Sequence, residues 1–181
     1  MLLFSGERQA VSAPSEGSAL PKSSSQSVAR QFKAEGYVYP SYSVFRDVLN
    51  LEISSAKRRI CVLAHIFDDR EIAYGLGLAS RRAVAALMRL EPPASDSSPS
   101  SNPFNASDTL RAFGLTPWKE SLKKLKLPEP TVIAIDSRAW SISSELSELR
   151  TAPVDVEPAP FTSAEVCGWA DAAASAKAAT R

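Results

Sequence analysis

Histidine and cysteine, the side chains of most metal centres and of phosphohistidine chemistry, are scarce in this 181-residue sequence, and their scarcity sets the first limits. There is one histidine, His65, and there are two cysteines, Cys61 and Cys167. One imidazole and two thiols exclude multi-histidine metal sites and Cys/His zinc modules. They also exclude any device that needs two histidines within one chain. His65 stands inside an apolar run, between Ala64 and Ile66. It reads as a core or strand-end histidine satisfied by a neighbouring carbonyl, in preference to a catalytic group. Cys61 and Cys167 read as two buried reduced thiols in preference to a disulfide. Asp68-Asp69 suits a helix cap better than a metal site. Lys119, Lys123, Lys124 and Lys126 read as a solvated face rather than an anion patch. Trp118, Trp140 and Trp169 read as core or interface anchors rather than a base-stacking platform.

The bulk composition agrees with a soluble globular chain, 44% hydrophobic and 23% charged, with room for one domain or a domain plus a tail. Lys and Arg number 21 against 20 Asp and Glu, a net charge of +1. That balance argues against a protein whose main task is neutralising nucleic-acid phosphates. No run approaches the ~20 apolar residues of a membrane-spanning helix. Met1-Leu2-Leu3-Phe4 is too short for a signal-peptide core and is soon followed by Glu7. Residues 1–35 form a Ser/Ala-rich segment that reads in three ways: a mitochondrial transit segment, an extended arm lying over a partner, or plain disorder.

The elements that must position these groups follow from periodicity. Tyr37-Val38-Tyr39 is a short β-prone segment closed by Pro40. From Ser43 to Arg58, Phe45, Val48, Leu49, Ile53 and Ala56 make one helical stripe. Ile60 to Phe67 is apolar on both alternating faces, as a strand buried on both sides requires. Asp68 or Asp69 caps a helix running to Arg82, and Val84 to Leu90 fits a second strand. Residues 91–107 are Pro/Ser-rich without periodicity and read as a surface loop. Ser107 caps a short helix to Phe113, and Trp118 belongs to an edge strand. Thr131 to Asp136 is another apolar strand, Val154-Asp155-Val156 one more, and Ser163 to Ala179 a helix by propensity. Helix, strand, helix, strand within about fifty residues predicts an α/β domain with a mixed, mostly parallel sheet and helices on both faces.

This order resembles the first half of a phospholipase-D-like domain. The resemblance is carried by Phe45-Arg46-Asp47-Val48-Leu49, Ala56 to Ile60, Phe67-Asp68-Asp69-Arg70-Glu71-Ile72-Ala73, and Ala79-Ser80-Arg81-Arg82-Ala83-Val84. It spans residues 36 to 175, within a domain bounded at 36–179, and is nearest to single-motif members such as mitochondrial cardiolipin hydrolase and the Zucchini-type nucleases. Ala83 stands where those members have glycine. The family's H-x-K-x-x-x-x-D motif matches Glu129-Pro130-Thr131-Val132-Ile133-Ala134-Ile135-Asp136, and its later Gly-Ser pair matches Ser143-Ser144. The resemblance implies a histidine that attacks phosphorus, a lysine that holds phosphate oxygens and an aspartate that orients the histidine. Glu129 replaces that histidine and Thr131 that lysine; only Asp136 remains.

The expectation is therefore a catalytically inactive phospholipase-D-like protein with no catalytic residues, cofactor or metal. It would serve as a structural or accessory subunit of a larger, mitochondrial complex of the respiratory-chain or ATP-synthase kind, with cytoplasm the other location. Its partners would be other protein subunits, with lipid headgroups a further option, nucleic acid disfavoured and no span across the membrane. The alternatives are a single-motif phosphodiesterase acting as a homodimer, or a phosphate or lipid-headgroup binder using the old pocket. Asp155 and Glu157 lie near a family position that often carries an acid, with no partner left to orient.

Overall fold

A computed structural model describes residue 32 and residues 35–92 and 105–171. The arm apart from Phe32 and Glu35, most of the Ser/Pro-rich loop, and the expected helix beyond Asp171 lie outside the described residues.

The chain is organised around two neighbouring strands whose side chains are apolar on both faces, β2 (Arg59–Ala64) and β5 (Thr131–Ile135). Ile60 and Val62 of β2, with Ile133 and Ile135 of β5, join the larger core cluster. It also holds Phe45, Leu49 and Ile53 of α1 (Tyr42–Ser55) and Ile72 and Leu76 of α2 (Arg70–Arg81). On the other face, Cys61, Leu63, Val132 and Ala134 meet Val166, Cys167 and Ala170 of α4 (Ser163–Ala170). Two covered faces explain the near-continuous hydrophobicity of both strands. Each fully buried Leu or Ile contributes roughly 1.5–3 kcal/mol of burial energy. Phe32, fully buried, packs against Trp140 with ring centroids 4.9 Å apart.

The remaining strands are β1 (Tyr37–Tyr39), β3 (Ala85–Leu90), β4 (Trp118–Lys119), β6 (Arg138–Ile142) and β7 (Val154–Pro158). They form one seven-stranded sheet in the order β1-β7-β6-β5-β2-β3-β4. Helices on both faces agree with expectation, but the mostly parallel sheet does not. Only β2–β3 and β3–β4 are parallel; the other four pairings are antiparallel. Two of the four antiparallel pairings, β5–β6 and β6–β7, involve β6, a strand that the periodicity did not announce. Asp136-Ser137 turns β5 directly back into β6, with Asp136 in the left-handed region at φ 52. Asp tolerates that conformation better than most residues because its short side chain hydrogen-bonds locally.

Local capping sets several boundaries. Asp69 caps α2 as expected, accepting from the Ile72 amide at 2.9 Å. α3 (Ala106–Ala112) is capped by Asn105 rather than Ser107, since the Asn105 side chain accepts from the Asp108 amide at 2.8 Å. α1 stops at Ser55, short of Arg58: the Ala56 amide still donates to Glu52 and Ile53, but those of Lys57, Arg58 and Arg59 are taken by Asp136. Ala83, beyond the end of α2, has φ 64, a conformation that suits glycine and costs another L-residue roughly 1–2 kcal/mol.

The two cysteines form a disulfide from the middle of β2 to α4, with Cα atoms 5.1 Å apart, which corrects the expectation of reduced thiols. Both side chains point into the same buried layer, Cys61 from its α4-facing strand position and Cys167 beside Val166. Folding brings them together across a separation of 106 residues, which spacing in the sequence does not reveal.

Candidate functional site

β5 carries the motif frame, and its two ends are built differently. At its N-terminal end, Thr131 pairs with Ala64 of β2 and with Ile142 of β6. Its side chain is fully buried and its hydroxyl has no hydrogen-bond partner. Glu129 is half-buried, and among the described residues its carboxylate has no hydrogen bond or ion pair.

His65 is distant from this frame in sequence but adjacent in space, because β2 and β5 run antiparallel. Its amide donates to the Pro130 carbonyl at 3.0 Å, and its Nδ1 lies 3.0 Å from the same oxygen. A carbonyl only accepts, so Nδ1 carries the proton in that contact and Nε2 remains available. The carbonyl-satisfied histidine expected from the sequence is thus found, beside the N-terminal end of β5. Sequence separation concealed this.

His65 lines a cleft of about 770 Å³ with Glu91, Ser107, Lys119, Lys123 and Glu145 among its walls. The two acids were not singled out in the sequence. Glu91 follows an apolar strand, which was the available signal. Its carboxylate is held below the usual range by the Leu122 amide, and it also accepts from Ser121 Oγ at 3.1 Å. Glu145 pairs with Arg150. Two lysines therefore share the cleft with two carboxylates, one of them already paired with Arg150, so the acids offset part of the positive charge there. Lys124 and Lys126 are exposed and do not line this cleft.

The hydroxyls matching the Gly-Ser pair are engaged locally. Ser143 Oγ accepts from the Asp155 amide at 2.8 Å, joining β6 to β7, and Ser144 Oγ donates to the Glu145 carbonyl at 3.0 Å. Asp155 and Glu157 are exposed on β7.

Asp136 lies at the opposite end of β5. The intervening strand of five residues spans about 17 Å. Asp136 therefore cannot orient a group at position 129. Its Oδ2 accepts from the Lys57 amide at 3.1 Å, and its Oδ1 from Arg58 and Arg59 at 2.8 and 3.2 Å. Partial burial pushes its pKa up, but the three amides outweigh this and hold it below the usual carboxylate range. Its work is structural: it fixes the entry into β2.

Asp69 shows the reverse electrostatics. It is fully buried, and burial raises its pKa against the opposing pull of the Ile72 amide, the Tyr42 hydroxyl at 3.0 Å and Arg46. Burial, and then the Asp69 charge, also push the Tyr42 phenol upward. Asp68 is exposed. Trp140 is in the core, Trp169 packs on Phe161 at 4.9 Å, and the Arg89 guanidinium lies 4.6 Å from the Trp118 ring centroid. Among the described residues no three His, Cys, Asp or Glu side chains are grouped to hold a metal ion, and no helix is long and apolar enough to cross a membrane.

No family model and no curated protein matches the chain. Among solved structures it is similar to the crystal structure of a phospholipase D family member, Nuc, from Salmonella typhimurium. The two are 18% identical with a TM-score of 0.46, over 70% of this chain and 84% of that one. The chemistry of the site is read from this chain's own residues.

Proposed function

We infer that this chain is a phospholipase-D-like domain without phosphohistidine chemistry, acting as an accessory subunit of a larger, mitochondrial protein complex. The observation that carries the loss of chemistry is Thr131, sealed inside the sheet where the motif requires a phosphate-holding lysine. Glu129 brings a negative charge to the nucleophile's position with no cation on Thr131 to offset it. An approaching phosphodiester anion meets repulsion there.

The accessory role is supported by a complete hydrophobic framework standing beside a dismantled motif, together with a Ser/Ala-rich N-terminal sequence of a composition suited to wrapping a partner. The buried disulfide favours an oxidising compartment. Within a mitochondrion that means the intermembrane side, where accessory subunits of respiratory or ATP-synthase assemblies are exposed. Native fractionation tests the reading: the chain should migrate in a large complex. A free species of 19.5 kDa, or its homodimer, overturns it.

One observation favours the enzymatic alternative, namely His65 beside the motif frame with Nε2 available. Under that reading the purified protein turns over bis(p-nitrophenyl) phosphate and His65→Ala abolishes the activity. Under ours there is no turnover to abolish.

A further inference from the structure

At the end of the sheet away from His65, the starts of β2 and β3, the β5–β6 turn and the first turn of α4 surround a second cleft of about 760 Å³. Lys57, Arg58, Arg59, Asp136, Ser137 and Ser163 are in its walls. Arg138 lines an adjoining cleft that shares Ser137 and Ser163. Four cations thus gather around one carboxylate, and that carboxylate is already occupied by the amides of residues 57, 58 and 59.

All four cationic side chains are exposed, and among the described residues none is in an ion pair. The His65 cleft sets two lysines against two acids; this region sets four cations against Asp136 alone, which already interacts with Arg58, and so keeps a net positive charge. Clustered like charges repel, most strongly at low ionic strength, and a bound anion relieves the repulsion. The three amide bonds to Asp136 also fix the backbone that carries Lys57, Arg58 and Arg59. Part of the ordering cost of binding is therefore met in the free protein.

The chemistry of the walls selects the anion. Guanidinium groups match phosphate oxygens in paired hydrogen bonds, and lysine adds a point charge. Ser137 offers a hydroxyl. The site is concave, and none of the large exposed apolar side chains lines it. A surface built to lie on a membrane combines cations with such apolar anchors.

We propose that this cleft binds a phosphate monoester or diphosphate group, held by Arg58 and Arg59 with Lys57 and Arg138 neutralising the remaining charge. The group belongs either to a soluble small molecule or to a lipid headgroup, and the chemistry of recognition is the same for both. This site is independent of the loss of chemistry at the opposite end.

The test is calorimetric titration of the full chain with inorganic pyrophosphate at low salt. Saturable binding is expected, at least tenfold weaker in Arg58→Ala/Arg59→Ala and unchanged in Lys119→Ala/Lys123→Ala. Ser137→Glu, which adds a negative charge to the cleft, should abolish binding while leaving the thermal midpoint of the free protein near that of the parent. Absence of binding, or equal binding by the arginine double variant, overturns the proposal.

Phosphatidylcholine vesicles containing phosphatidic acid separate the two sources. Vesicle binding that pyrophosphate displaces assigns a lipid headgroup, whereas pyrophosphate binding without vesicle binding assigns a soluble ligand. Vesicle binding indifferent to both pyrophosphate and Ser137→Glu points to flat electrostatic adhesion and overturns the site.

Discussion

The two ends of β5 carry the same motif frame to opposite outcomes. At Asp136 one carboxylate accepts three consecutive amides from the loop entering β2. At Thr131 a buried hydroxyl has no partner among the described residues, and neither has the carboxylate of Glu129 beside it. The end at Asp136 is strongly bonded; the end at Thr131 is closed inside the sheet, beside a cleft that holds both lysines and acids. The two ends are built independently because a whole strand lies between them.

The comparison presupposes a rigid centre, and the disulfide there gives the largest expected effect. Removing it, by reduction or by Cys61→Ala/Cys167→Ala, should cost about 3–4 kcal/mol in urea unfolding, as expected for a long closed loop. An unchanged midpoint in reductant would mean that α4 is not stapled to β2.

Asp136→Ala should cost about 2 kcal/mol by orphaning amides that have no other acceptor. The pH dependence follows from its lowered pKa. Its stabilisation is fully present above the unfolded carboxylate value near 3.9 and is lost as pH falls through the lower folded value. Asp136→Asn should therefore flatten that part of the acid limb, measured as urea midpoints between pH 2 and 6. Asp69 acts with the opposite sign: its folded pKa is raised, so its contribution is fully present below the unfolded value and is lost as pH rises through the folded one.

Smaller effects are expected at the other end. Thr131→Val should be stabilising by about 0.5–1 kcal/mol, because it removes a buried hydroxyl that bonds to nothing. A clear loss of stability instead would reveal a partner for that hydroxyl and weaken the contrast. Glu129→Ala should stay within about 0.5 kcal/mol of the parent in the same unfolding experiment.

Much of this was legible in the residues themselves. The stripe of Phe45, Val48, Leu49 and Ile53, the doubly apolar runs of β2 and β5, and the Asp69 cap are local signals, and each produced the element it announced. That Glu129 and Thr131 stand in the motif frame is a matter of residue identity alone. Strand direction was not legible. Val132 and Ala134 look the same in a parallel or an antiparallel neighbour, and the decision fell to a two-residue turn at Asp136-Ser137. Three long-range juxtapositions were hidden for the same reason: Cys61 with Cys167, His65 with Pro130, and Asp136 with Lys57 to Arg59. By itself the sequence determined which elements form and which chemical groups are missing, because propensity, periodicity and identity act over a few residues. Only the tertiary structure decided which ends of those elements meet. Pairing across separations of 65 to 106 residues is set by the packing of the whole sheet and leaves no mark at either partner.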